Sequence, residues 1–207
     1  MNAAVPLASP PDETDPRRVE TTTRILDEAE RLFRHYGYAK TTVADIAREL
    51  GMSTGNIYRF FTSKTQIHEA LAERMLVARE VALFEISRLP VSAAERLRRF
   101  VVDQYEATVA QMLDETKVHE MVMVAIEQHW TVIDRHLQRM TQILGEIIAE
   151  GMRSGEFRMD DPRRAARCFQ ASVISVCHPV VVAQCRADPD YAGPEELVEF
   201  VLKALLA

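Results

Sequence analysis

Glycine is scarce in this sequence, with 7 among 207 residues, and a single tryptophan is present. Leu, Ala, Glu and Arg are abundant, and these residues favour helices because they lose little conformational freedom there. Hydrophobic residues make up 47% and charged residues 27%, the balance of a globular protein with a real core. We therefore expect one or two folded domains of the all-α class.

Cysteine is also rare, and Cys168, Cys177 and Cys185 form no C-x-x-C pair. Their odd number, within one apolar stretch, argues against a disulfide framework or a zinc site, so we expect reduced core residues in a cytoplasmic protein. The stretch from Cys168 to Cys185 lacks formal charges. Its Gln, Ser, His and Pro residues make it a poor membrane span, and a buried or interface helix is the better prediction.

Signatures of targeting, catalysis and metal binding are missing as well. Residues 1–16 contain prolines and acidic residues, which predicts a disordered arm and no signal peptide. No G-x-S-x-G, P-loop or H-E-x-x-H motif occurs, so no enzyme is predicted. His129 and His136 are seven residues apart, a poor spacing for shared ligation, and we predict no metal site and no cofactor.

Apolar periodicity predicts helices throughout the chain, about nine in total. Thr42 and Ser53 are candidate N-caps for the second and third helices, which only Gly51-Met52-Ser53 separates. Two short helices joined in this way form a helix-turn-helix. We assign this domain to residues 17–64 and a larger helical domain to residues 65–207. The predicted helices are about 18–36, 43–50, 54–61, 64–89, 93–113, 117–126, 129–153, 162–185 (kinked at Pro179) and 194–205.

The charge distribution is uneven. The formal net charge is −6, which argues against a nucleic-acid partner if taken alone. Residues 31–65 nevertheless carry six Lys and Arg residues against Asp45 and Glu49, a local excess of +4. A local basic patch is what attraction to phosphates needs.

Four motifs occur in order between Arg24 and Leu76. They are A-x-x-L-F followed by Gly37-Tyr38, T-T-V-x-D-I-A from Thr41, G-M-S-x-G-x-I-Y from Gly51, and F-x-S-K ending at Lys64. At these spacings they resemble the DNA-binding domain of the tetracycline-repressor (TetR) family. The other three quarters of the chain match that family only in helical layout.

A recognition helix presents the side chains of its first turns to the major groove, and here these are Thr54, Gly55, Asn56 and Arg59. Gly55 leaves room for close approach, Asn56 can pair with adenine, and Arg59 can reach guanine or a phosphate. The resemblance adds DNA-backbone contacts from Thr42, Tyr58 and Lys64, which offer a hydroxyl, a phenol and a cation. Ser53 and, more weakly, Phe60 complete the predicted set. Phe60 replaces the family's usual tyrosine or histidine; it cannot donate to phosphate and is expected to touch a thymine methyl group or simply to pack.

The resemblance also implies a repressor that binds a pseudo-palindromic operator as a homodimer paired through its last two helices. An effector cavity is expected among the middle helices. Its Met and aromatic candidates favour a small, largely apolar effector, whose binding swings the fourth helix. Two alternatives stay open: a helical small-molecule-binding protein without DNA binding, and an activator. The candidate cavity residues are Tyr105, Met112, Met123, Trp130, Phe169 and His178.

Overall fold

The computed structural model describes residues 15–113, 116–128 and 130–206, without the side chains at 111–113, 116 and 118. The predicted arm therefore lies outside the described residues except for its last two positions. Of these, Pro16 already begins the first helix, because Asp15 caps it by accepting a hydrogen bond from the Arg17 amide at 3.0 Å.

The described residues form α-helices joined by short links, with one six-residue π-helical stretch at Thr108–Leu113. No strand ladder occurs among them, and the sole bridge there is an isolated antiparallel one between Phe157 and Leu206. The all-α prediction is therefore confirmed. The helices are α1 Pro16–Tyr36, α2 Val43–Glu49, α3 Thr54–Tyr58, α4 Lys64–Ser87, α5 Ala93–Ala107, α6 Thr116–Glu127, α7 Thr131–Ser154, α8 Pro162–Ser172, α9 Ile174–Cys177, α10 Pro179–Cys185 and α11 Pro194–Leu202.

The predicted eighth helix, 162–185, differs most from the structure. It divides into α8, α9 and α10, with breaks at Val173 and His178. The second break has a local cause: the residue before a proline avoids the helical conformation, and His178, before Pro179, is extended with ψ 122°. The break at Val173 has no comparable sequence signal.

The N-terminal helices share a small core of their own. Ile25 and Phe33 of α1, Ile46 of α2, Ile57 of α3 and Ile67 of α4 are each 0% exposed and belong to one cluster. Since α3 is only five residues long, its position depends on burying Ile57 in this cluster.

A second, larger core lies among α5, α7, α8 and α11, with Leu97, Ile147, Phe169 and Val198 among its buried members. Phe157, just after α7, folds back onto Gly151 of that helix. An added Cβ at Gly151 would overlap the Phe157 ring, so glycine is required for this close approach.

The cysteine prediction is partly wrong. All three thiols are free, but Cys168 is exposed and Cys177 and Cys185 are only partly buried. Cys168 lies on the outer side of α8, away from the buried Ala166 and Phe169. No helix among the described residues is long and apolar enough to span a membrane.

Candidate nucleic-acid interface and ligand cavity

The turn between α2 and α3 depends on a left-handed residue. Gly51 has φ +64° and an amide that donates to the Arg48 carbonyl at 3.1 Å. The Met52 amide then donates to the Ala47 carbonyl at 2.8 Å. Glycine adopts positive φ without steric cost, so the chain reverses within three residues and enters α3.

Ser53 and Thr42 both act as N-caps, as predicted. The Ser53 hydroxyl accepts a hydrogen bond from the Asn56 amide at 3.2 Å. Thr42 forms a full capping box with Asp45: its hydroxyl accepts from the Asp45 amide at 3.1 Å, and its own amide donates to the Asp45 carboxylate at 2.9 Å. The hydrogen bonds from Thr42 hold the pKa of Asp45 below its usual value. At the start of each helix, a side chain therefore accepts a hydrogen bond from a backbone amide that has no partner within the helix.

One side of α3 is open to solvent. Ile57 is buried, whereas Ser53, Gly55, Tyr58 and Arg59 are exposed, Tyr58 by 49%. A Cβ added at Gly55 would find nothing nearer than the Ser53 hydroxyl at 4.0 Å, so no part of the described chain covers this edge. Thr54 and Asn56 are partly buried beside it.

Phe60 and Lys64 have partners inside the protein. The Phe60 ring is partly buried and lies 4.9 Å from the guanidinium of Arg18, which also donates to the Arg59 carbonyl at 3.4 Å. The Lys64 ammonium donates to the carbonyl oxygens of Tyr38 and Thr41 at 2.9 and 3.0 Å. Its predicted phosphate contact competes with these bonds.

Two acidic residues of α1 outside the window, Glu28 and Glu30, reduce the basic excess of residues 31–65 from +4 to +2. Arg31 pairs with Glu28 and Glu49, Arg34 with Glu30, and Arg48 with Asp45. Within the described chain, Lys40, Arg59 and Lys64 of this window have no acidic partner. Arg18, near α3, is a further cation that sequence reasoning missed, and its signal was the Arg17-Arg18 pair at the start of α1.

A cavity of about 190 Å³ lies between α4, α5, α6, α7 and the α8–α10 segment. Most of its lining is apolar, and its polar members are three histidines and two glutamines. The lining residues are His68, Ala72, Met75, Leu76, Phe100, Gln104, Met121, Val122, Ala125, Ile126, Ile133, His136, Leu137, Met140, Leu144, Gln170, Val173, Ile174, Cys177, His178 and Pro179.

The polar groups of the cavity differ in how they are satisfied. His136 Nδ1 lies 3.0 Å from the Glu80 carboxylate, and burial lowers the pKa of His136 despite that neighbour. Gln104 accepts from Arg79 at 2.9 Å. By contrast, Nδ1 of His68 and Nδ1 of His178 are buried without a hydrogen-bond partner in the described structure. An apolar cavity with a few polar groups is the usual form of a small-molecule site.

Of the six residues predicted to line such a cavity, His178 does so. Phe169 is 2% exposed in the larger core, and Tyr105 packs against that core. Met123 and Trp130 do not line the cavity either; Trp130 packs edge-on against His68, with ring centroids 4.7 Å apart. The side chain of Met112 lies outside the described residues. The six candidates were selected by residue type, as Met, aromatic or His side chains. The cavity, however, is formed by whichever helix faces meet in the folded protein.

Metal binding has no support from side-chain clustering. No group of three or more His, Cys, Asp or Glu side chains is placed to hold a metal ion within residues 15–113, 116–128 and 130–206.

An N-terminal helix-turn-helix with an open third helix, followed by a larger helical domain with a cavity, defines a ligand-binding class of DNA-binding regulator. The family model for bacterial regulatory proteins of the tetR family matches residues 25–71. The model for the tetracyclin repressor-like C-terminal domain matches residues 93–198, more than half of the chain. The chain belongs to the TetR family of transcriptional regulators, which are not enzymes.

Individual relatives agree with this assignment. The regulator BetI of Escherichia coli O127:H6 is 29% identical over 147 residues, covering 70% of this chain and 71% of BetI. TtgR of Pseudomonas putida is 27% identical over 161 residues, covering 72% and 75%. The structure of SmeT, the repressor of the Stenotrophomonas maltophilia efflux pump SmeDEF, shares the fold with a TM-score of 0.64, 21% identity and 90% coverage of each chain.

Proposed function

We propose that this protein is a cytoplasmic repressor that binds a pseudo-palindromic operator as a homodimer and leaves it when a small, largely apolar effector binds. The proposal rests on the solvent-exposed side of α3, which faces outward because Ile57 on the opposite side is buried. A major groove about 12 Å wide accepts such a helix.

The proposed DNA contacts fall into two groups. Thr54, Gly55, Asn56 and Arg59 face the bases, because they occupy the first turns of α3 or follow it directly. Backbone phosphates are contacted by hydroxyls, amides and cations around them. These are Thr42, Ser53 and Tyr58, with Lys64 as the weaker member since it has partners within the protein. Phe60 cannot donate to a phosphate, and its proposed contact is an apolar one with a thymine methyl group.

The proposed dimer joins α8 and α11 to their copies. Phe200 of α11 is 71% exposed, and a copy of the chain packed on α11 would remove this ring from water. The exposed side of α8 carries Arg163 and Arg167, and that of α11 carries Glu196, so the two helices offer opposite charges across a two-fold axis. Val173, Val176 and Val182, within the predicted eighth helix, are buried inside the subunit and so do not contribute to this surface.

The apolar cavity supports the effector. Its walls come from α4, which begins beside α3, and from other helices of the larger domain, so a ligand contacts the helix that follows the helix-turn-helix directly. Ligand and DNA then oppose each other if the ligand binds better to the arrangement of α4 that fits DNA less well.

Selection of bound sequences from a random duplex pool tests the proposal. We expect a two-fold symmetric site with half-sites about one helical turn apart. We also expect its affinity to fall steeply with salt concentration, because bound Lys and Arg residues release counterions from the DNA. Recovery of no common sequence, together with no binding at low salt, would favour the helical binding protein without DNA contact.

A further inference from the structure

His68 lies between the small domain and the cavity. It is the fifth residue of α4, is 2% exposed and lines the cavity. On one side its ring is 4.5 Å from the Tyr38 ring and 5.9 Å from the Phe33 ring, both near the end of α1. On the other side Trp130 packs edge-on against it. A single imidazole therefore contacts both the DNA-binding domain and the ligand-binding domain.

This imidazole lacks a partner. Its Nδ1 is buried and accepts or donates no hydrogen bond within the described chain. Burial, and to a smaller extent the charge of Lys64, lowers the pKa of His68 to about 4, so the ring is neutral at pH 7 with one nitrogen available as an acceptor. Buried polar groups without partners are rare, and one at a cavity wall is satisfied when a ligand supplies the missing group.

The surroundings of His68 in the cavity are apolar. The described lining is mostly apolar and includes no Asp, Glu, Lys or Arg side chain. Among its polar members, His136, Gln104 and Gln170 already have hydrogen-bond partners within the protein. A charged ligand would lose its hydration without gaining an opposite charge from these residues. A neutral molecule with a single polar group is the chemistry that this wall accepts.

We infer that the effector is a neutral, mostly apolar molecule with one hydroxyl or N–H group, and that this group hydrogen-bonds to the imidazole of His68. The inference rests on the proposed function and adds the ligand class and the residue that senses it.

The same contact explains how the DNA-binding domain responds. The Tyr38 ring contacts both the His68 ring and the Lys64 ammonium, which is 4.3 Å from the Tyr38 ring centroid. Lys64 in turn holds the Thr41 carbonyl, directly before the capping residue Thr42 of α2. A ligand that moves the His68 ring disturbs this series of contacts, and α2 carries α3 with it.

A binding experiment without DNA tests the ligand class. The probes are 2-naphthol, which carries one hydroxyl, and 2-methoxynaphthalene, in which a methyl group removes the donor. For the unmodified protein we expect 2-naphthol to bind about tenfold more tightly, the range of one buried hydrogen bond. His68→Phe, which keeps an aromatic ring, should bind both probes equally, and His68→Gln, which keeps a polar group, should retain part of the preference.

His178→Phe is the matched control, because His178 also lines the cavity and also has a buried, unpartnered Nδ1. This variant should keep the preference for 2-naphthol. The inference is overturned if the unmodified protein binds neither probe, if it binds both equally, or if His178→Phe loses the preference while His68→Phe keeps it.

The duplex recovered by selection tests the coupling. Saturating 2-naphthol should weaken duplex binding of the unmodified protein and of His178→Phe by at least about fivefold. It should leave duplex binding of His68→Phe unchanged, even at probe concentrations that fill its cavity. An equal loss in His68→Phe would overturn the sensing role. Failure to select any duplex would overturn the proposed function. The binding experiment without DNA would still decide the ligand class.

Discussion

The Lys64 ammonium donates a hydrogen bond to the Tyr38 carbonyl at 2.9 Å and lies over the ring of the same tyrosine. A second bond, to the Thr41 carbonyl at 3.0 Å, joins the first residue of α4 to the segment that leads into α2. Burial lowers the pKa of Lys64. This cation therefore stabilises the junction between the two parts of the chain.

Replacing Lys64 should therefore lower the stability of the protein more than it lowers the electrostatic attraction of the protein to DNA. We expect Lys64→Met to lower the free energy of unfolding by about 1–3 kcal/mol, since two charged hydrogen bonds to carbonyls are lost. Urea unfolding measures this, with Lys40→Met, at an exposed position outside the proposed dimer interface, as the control that stays unchanged. The opposite result would be unchanged stability together with a slope of log affinity against log salt concentration that is smaller by about one. That result would instead assign Lys64 to a phosphate contact.

Tyr58 and Arg59 should differ in what they contribute to DNA binding. Tyr58→Phe removes a hydroxyl proposed to contact phosphate, so affinity should fall by a similar factor, about two- to tenfold, for the selected site and for random DNA. Arg59→Ala should cost about 1–3 kcal/mol on the selected site and much less on random DNA. Competition binding with both duplexes measures the ratio of variant to parent affinity on the selected site and on random DNA. If both variants bind as tightly as the parent, these residues do not belong to the interface.

Local signals explain why the helix-turn-helix could be predicted. Thr42 and Ser53 cap their helices through their own neighbours, and Gly51 adopts its positive φ regardless of distant packing. The buried face of α1 follows from periodicity, although Tyr36, the last residue of the helix, is 53% exposed. Each of these signals depends only on residues a few positions away, so it can be identified from the sequence alone.

The cavity could not be predicted in the same way. The periodicity of α4 and α7 marks Met75 and Met140 as inward-facing, but it does not show whether they meet other atoms or empty space. His68 gave no signal at all, because its role arises from helices brought together in the fold. The same limit applies to charge: the count over residues 31–65 left out Glu28 and Glu30, which lie outside that window and pair with Arg31 and Arg34.

Two glycines of α7 offer a matched test of the larger core. Gly151→Ala places a Cβ against the Phe157 ring and 2.9 Å from the Ala93 Cβ, and should destabilise the protein by about 1–3 kcal/mol through overpacking. Gly145→Ala meets nothing nearer than 3.8 Å and should stabilise by up to about 1 kcal/mol. Urea unfolding compares them; equal effects would mean that Phe157 does not pack on this helix.

The proposed dimer makes a prediction for Phe200. Phe200→Arg places a charge where α11 is proposed to meet its copy, and we expect the particle mass in solution to fall from two chains to one. Val81→Arg is the control, since Val81 is 58% exposed on α4, outside the proposed interface. Light scattering after size-exclusion chromatography reads the mass. A Phe200→Arg protein that remains dimeric would move the interface elsewhere.

The most direct test of DNA recognition through α3 is the duplex affinity of Gly55→Ala measured beside its stability. The added methyl group meets no part of the described chain, so unfolding should be unchanged or up to about 1 kcal/mol more costly. We predict that affinity for the selected duplex falls at least about tenfold, because that methyl group occupies the space a base edge needs. Gly145→Ala should bind as the parent does, and an undiminished affinity of Gly55→Ala would contradict entry of this edge into the groove.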